Sequence, residues 1–184
     1  MKKVIYIEGT RDMDNGDLRK AFSLLFEKEL KGNMPKVIMG NGKDQTIDKF
    51  HSTPLSQNEQ RFLLVDSDAP VKDKAEICKK FNETKPDRIE NCKTNNTFLM
   101  IQESESWILS QPDVLQKHNI SVEKLPQRNV VEIPKPSEIL AVLYKVSNKE
   151  YHKVRDFSHL LPDLDTNRLK KYFDEFNGLV AALK

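Results

Sequence analysis

Four short apolar runs punctuate the chain, and each ends abruptly on glycine or polar residues. Val4-Ile5-Tyr6-Ile7 stops at Glu8-Gly9-Thr10, and Val37-Ile38-Met39 stops at Gly40-Asn41-Gly42. Phe62-Leu63-Leu64-Val65 runs into Asp66-Ser67-Asp68, and Phe98-Leu99-Met100-Ile101 runs into Gln102. Uninterrupted apolar runs of this length fit strands buried on both faces. The intervals have a different period. Leu18, Phe22, Leu25 and Phe26 recur at helical spacing, and Gly32-Asn33 after Lys28 and Lys31 is a C-terminal stop with a basic last turn. Ile47 and Phe50 lie three apart, and Lys74 to Phe81 reads as a short helix. Strands alternating with helices predict right-handed crossovers and a mainly parallel sheet of about four strands.

Polar stretches fill in the rest. His51 to Gln60, with Pro54, is expected to be a loop, and Asn82 to Asn96, aperiodic and carrying Pro86, an exposed excursion. Beyond Gln102 the strand-like runs cease, and the segments around Trp107 to Leu109, Val114 to Leu115, Ile139 to Tyr144 and Leu169 to Phe176 read as helical. Pro134-Lys135-Pro136-Ser137 predicts a helix start with Ser137 as N-cap. The expected architecture is therefore α/β, with a Rossmann-like core over residues 1–110. A helical C-terminal portion over 111–184 is expected to pack on it as one structural unit.

Composition narrows the classes of function. The 184 residues suit one domain. With 30 Lys+Arg against 28 Asp+Glu, the net charge is only +2, so any nucleic-acid contact must be a local patch and not a diffuse basic surface. Cys78 and Cys92 are too few and too isolated from histidines for a disulfide scaffold or a zinc site, which points to a reducing cytoplasm. The apolar run behind Met1-Lys2-Lys3 ends at Glu8, too soon for a secretory core, and no stretch approaches the ~20 apolar residues of a membrane span.

Ligands of open parallel sheets bind outside the carboxyl ends of the strands, where Glu8, Asp66 and Asp68 are expected. Three carboxylates from two strand ends make a hard oxygen site suited to Mg2+ or Mn2+. The alternative is that they cap helices or solvate loops. Gly40-x-Gly42-Lys43 either brings backbone amides and an ammonium to a phosphate or is only a tight turn. Glu105 either reaches the metal edge or complements a helix dipole, and Trp107 reads as core sooner than as a base-stacking platform. Tyr151-His152-Lys153-Val154-Arg155 suits phosphate or single-stranded nucleic acid, with a solvated loop as the alternative. His152 has the side chain of a general acid or base, and Lys135, between two prolines, is a candidate electrostatic stabiliser.

Ile7-Glu8-Gly9 and Asp66-Ser67-Asp68 resemble the glutamate and paired-aspartate signature of Toprim domains, the core shared by topoisomerases, primases and nucleases of overcoming-lysogenization-defect type. The chain as a whole resembles a Toprim-like family labelled a domain of unknown function. The likeness runs in order through Glu8-Gly9, Asp12, the helix led by Arg19 to Phe22, Met34-Pro35-Lys36-Val37, Gly42-Lys43 and Leu64-Val65-Asp66-Ser67. It continues through Gln102-Glu103-Ser104-Glu105-Ser106-Trp107, Ile133 to Lys135, and Tyr151-His152-Lys153 with Arg155. Asp68 stands where relatives often carry Glu, Asn41 interrupts a glycine pair, and Ser104 replaces the usual Met.

The resemblance implies a Toprim-like fold and a metal-dependent phosphodiesterase acting on DNA or RNA. Glu8, Asp66 and Asp68 would hold Mg2+ or Mn2+ and form the catalytic set with Lys153, with Asp12 and Glu105 as additional acids. Arg19, Lys43, Lys135, His152, Lys153 and Arg155 would bind phosphate or nucleic acid. Relatives are often encoded beside an ATPase of the ATP-binding-cassette type, which implies a separate ATPase partner in a two-component defence or mobile-element system, since no phosphate-loop motif is present here. A non-catalytic module that docks on such an ATPase is the alternative. A primase-like nucleotidyl transferase is disfavoured, because the chain is small and has no second nucleotide site.

Overall fold

The computed structural model describes residues 1–10, 15–54, 56, 58–83 and 88–184. Strands β1 (Lys2–Ile7), β2 (Lys36–Met39), β3 (Glu59–Asp66) and β4 (Thr97–Met100) form one sheet in the order β2-β1-β3-β4, every pair parallel. Register places Ile7 beside Met39 on one side and Leu64 on the other, and Asp66 beside Met100. The four apolar runs are thus the strands, with their polar stops together along one edge.

Side chains alternate between the two faces, as a pleated strand requires. Val4, Tyr6, Leu63, Val65 and Leu99 face α2 (Lys43–Ser52) and α3 (Lys74–Glu83), packing with Ile47, Phe50 and Cys78. Ile5, Ile7, Phe62, Leu64, Phe98 and Met100 face the larger core. That core is built by α1 (Gly16–Leu30) and the C-terminal helices α4 (Glu105–Leu109), α5 (Pro112–Lys117), α6 (Pro136–Val146), α7 (Lys153–Leu160), α8 (Thr166–Tyr172) and α9 (Asp174–Leu183). Trp107 is its centre: it has no exposed surface, and its ring lies 5.1 Å from Phe176, 6.3 Å from Phe22 and 6.4 Å from Phe173. The expected core role of this tryptophan holds. Glu175 closes the β4 edge, accepting the Leu99 N–H at 3.2 Å and pairing with Lys74 at 2.8 Å.

Four local expectations need correction. Strand β3 begins at Glu59, inside the expected loop, because buried Arg61 donates to the carbonyls of Phe50, Thr53 and Pro54 and so fixes the strand's first residues against α2. The excursion before β4 is not wholly exposed. Cys92 is buried, its backbone N–H and C=O both held by the Asn82 side chain at 2.9 Å, and the Ile89 N–H donates to the His51 carbonyl at 2.7 Å. Leu169 to Phe176 is two helices, broken where Phe173 turns extended (φ −129°) and buries its ring. Lys135, not Ser137, occupies the N-cap of α6, with Pro136 following it; the Ser137 N–H donates to Glu103 at 2.7 Å. Among the described residues no helix is long and apolar enough to cross a membrane.

Candidate functional site

The polar residues that end β1 and β3 meet. The Glu8 N–H continues the ladder to the Leu64 carbonyl at 2.9 Å, which aims the Glu8 side chain across the end of β3, where its Oε2 accepts the Asp66 N–H at 2.9 Å. Asp66 is buried, and its Oδ1 accepts the Ser104 N–H at 2.9 Å. Glu8 Oε1 and Asp66 Oδ2 take no hydrogen bond among the described residues. Asp68 follows a tight reversal: its N–H donates to the Gln102 carbonyl at 2.8 Å and its φ is +58°, a conformation that Asp tolerates. This turn carries its carboxylate to the rim, 69% exposed and in contact with Lys43 Nζ.

Lys43 opens α2 directly after Gly42, whose φ of +84° requires glycine. The Gly40 N–H donates to the Ile7 carbonyl and the Gly42 N–H to the Gly9 carbonyl, both at 2.9 Å, so the β2–α2 turn is sewn to the end of β1. Buried Asn15 completes the stitch, accepting from the Thr10 N–H at 3.1 Å and donating to Asn41 Oδ1 at 3.2 Å. Gly9 lies inside this seam. A Cβ there would stand 2.5 Å from the Gly40 carbonyl oxygen and 2.6 Å from Asn15 Oδ1. Gly9→Ala is therefore expected to cost about 1–3 kcal/mol, the usual penalty for overpacking, read as a lower midpoint in urea unfolding with an unchanged m-value.

The fourth side of the site comes from the C-terminal portion. Lys153, the first residue of α7, reaches Glu105 Oε1 at 3.3 Å. Glu105 is wholly buried and also accepts from Tyr151 OH and Ser104 Oγ, each at 3.2 Å. Burial and the neighbouring Glu105 drive the Tyr151 phenol far above its ordinary range, keeping it a donor. Burial presses the Lys153 ammonium toward deprotonation, but Glu105, Asp66 and Glu103 outweigh it and leave its pKa raised.

Electrostatics sets the character of the cluster. Burial raises Glu8, with the Asp66 N–H and Lys43 pulling the other way and Asp68 adding to the rise. Burial also lifts Asp66 well above the ordinary carboxylate range, and the charges of Glu8 and Glu105 lift it further. Two carboxyls with raised pKa on adjacent strand ends, each with an oxygen to spare, lack positive charge. Among the described residues no group of three His, Cys, Asp or Glu side chains is gathered closely enough to hold a metal ion as it stands. The donor set is nevertheless all oxygen and two-carboxylate at its centre, which fits an ion such as Mg2+ that keeps several waters.

Glu8, Lys43, Asp66, Asp68 and Lys153 all line one cavity of about 510 Å³. Glu105 sits behind Lys153. The other expected residues are elsewhere: Lys135 is exposed and paired with Glu138 at 2.6 Å, His152 lies 3.7 Å from Glu150, and Arg155 pairs with Asp156 at 2.9 Å beside a different cavity. Arg19 is exposed on α1, outside the lining, and Asp12 lies outside the described residues. Ser104 and the apolar wall of Leu18, Phe22, Val154 and Phe157 were not anticipated as lining, and Tyr151, expected in a segment for phosphate or nucleic acid, instead donates to Glu105. Helix α7 had a sequence signal, since Val154, Phe157 and Leu160 recur every three residues.

A parallel α/β sheet carrying an acidic cavity at its carboxyl edge defines the class of protein. The chain belongs to the family described as domain of unknown function (DUF4276), which matches residues 18–184. Glu8, Gly9 and Thr10 also line the cavity, and apart from these three the matched span holds all of its lining residues. No match was found among curated proteins or among solved structures.

Proposed function

We propose that the protein is a divalent-metal-dependent phosphodiesterase acting on DNA or RNA. The observation that carries this is the pairing of Glu8 with Asp66 at the ends of two adjacent parallel strands, both with raised pKa and both facing a cavity that also holds Lys43 and Lys153. Glu8 and Asp66 would hold Mg2+ or Mn2+, with Asp68 available from the rim once released from Lys43. When bound, such an ion would make a coordinated water more acidic and would polarise the phosphoryl oxygens. Lys153, fixed by Glu105, is placed to neutralise charge that builds on the phosphate, and Lys43 is placed to contact a neighbouring oxygen. The resemblance to Toprim nucleases of overcoming-lysogenization-defect type supports the same reading. It further suggests a cytoplasmic defence or mobile-element effector working with a separate ATPase of the ATP-binding-cassette type.

A second reading, a non-catalytic module docking on that ATPase, draws on α6, which leaves Val142 and Val146, one turn apart, exposed. Incubation with mixed single- and double-stranded DNA and RNA separates the two. Cleavage in Mn2+ that is abolished by EDTA and by Glu8→Gln is the expected result, whereas no cleavage of any substrate favours docking.

A further inference from the structure

The cavity is chemically mixed. Besides Glu8 and Asp66, its lining includes Leu18 and Phe22 of α1 with Val154 and Phe157 of α7. Phosphodiester backbone alone has nothing to place against that wall. Without a divalent ion the cavity is poorly suited to hold an anion by charge alone, since Lys43 and Lys153 are each engaged by a carboxylate and Asp44, Glu8, Asp66 and Asp68 line the same space. Its volume, about 510 Å³, lies within the range of single small-molecule sites and far below a duplex. Thr10 is on the lining too, and its hydroxyl is buried with no partner among the described residues.

We infer that the cavity receives one unstacked nucleotide, with its phosphate toward Glu8 and Asp66 and its base against Val154 and Leu18. Thr10 Oγ1 is then available to a polar atom of the base or sugar. The inference rests on the phosphodiesterase reading and deepens it. A base inside the cavity must leave the stack, so the substrate is a strand end or a single strand, which avoids the cost of unpairing. Apolar and aromatic contact with a base is worth enough to show as about tenfold in affinity and is tolerant of sequence.

The test compares ribose 5-phosphate with uridine 5′-monophosphate, which differ by the base, in calorimetric titrations at saturating Mg2+. The expected result is that the nucleotide binds about tenfold tighter. Val154→Ser should erase that preference, and Val154→Trp, which fills the base side, should weaken the nucleotide more than the sugar phosphate. Val154 is only half-buried, so both variants are expected to fold, with Mg2+ titrations matching wild type; if the Trp variant unfolds, the Ser variant carries the comparison. Equal affinity for the two ligands, or a preference that survives Val154→Ser, overturns the nucleotide site and leaves the metal site standing. Absence of Mg2+ binding to the wild-type chain overturns both.

Discussion

Asp66→Asn is expected to weaken divalent-ion binding by more than about 100-fold and, in the same experiment, to raise the melting temperature of the metal-free protein. Loss of binding follows because Asp66 supplies one of two central charged oxygens, and changing outer-shell partners alone costs about 10–100-fold. The rise in stability follows from the direction of the pKa shifts. Asp66 and Glu8 both titrate higher in the fold than their ordinary values of 3.8 and 4.5, first because of burial. The folded state therefore favours their protonated forms. Their contribution to stability is fully present below the ordinary carboxylate range and is lost as pH rises through the raised values. Metal-free wild type should melt lower at pH 8 than at pH 5 for this reason, and Mg2+ should restore what is lost. The Asn side chain keeps an acceptor for the Ser104 N–H and removes the charge, so its melting temperature should exceed wild type at pH 8 by a few degrees and depend less on pH. Thermal melts of both proteins with EDTA and with Mg2+ check this. A purely structural Asp66 would give a lower melting temperature instead.

Lys153→Met should do the opposite. It leaves the wholly buried Glu105 without its cation while Tyr151 and Ser104 still donate to it. Removing one member of a buried ion pair costs about 3–5 kcal/mol, and because Lys153 is half exposed the expected loss is nearer 2–3 kcal/mol. For a chain of this size that is roughly 5–10 °C. Adding Glu105→Gln to Lys153→Met removes the orphaned charge and should recover most of that stability. Cleavage should not recover, remaining about 100-fold or more below wild type, if the ammonium acts on the phosphate. Recovery of both in the double variant would make the pair a structural staple between the C-terminal helices and the sheet.

The sheet was legible because its strands are buried on both faces, so Val4 to Ile7 and Phe62 to Val65 stand out as unbroken apolar runs whose polar stops mark the carboxyl edge. Glu8 and Asp66 could be placed for the same reason. What escaped sequence reading is what depends on contacts distant along the chain. The wall of the cavity joins Leu18 to Val154, more than a hundred residues apart, and Tyr151 meets Glu105 only because α7 packs on α1 and α4. The cationic run from His152 to Arg155 was misleading in a physical way. Once it begins a helix, neighbouring residues diverge around the axis, so Lys153 enters the cavity while Arg155 turns to Asp156. Asp68 was legible as an acid at the edge, but its left-handed turn toward Lys43 was not.

Calorimetric titration of the full chain with Mn2+ at pH 5, in two buffers of different ionisation enthalpy, tests the central claim most directly. Glu8 and Asp66 holding a divalent ion predicts a saturable site whose apparent enthalpy differs between the buffers, because ion binding expels protons from carboxyls with raised pKa. The Glu8→Gln/Asp66→Asn double variant should show neither the site nor the proton release. Saturable binding of equal affinity in the double variant, or no saturable binding to the wild-type chain, would contradict the account.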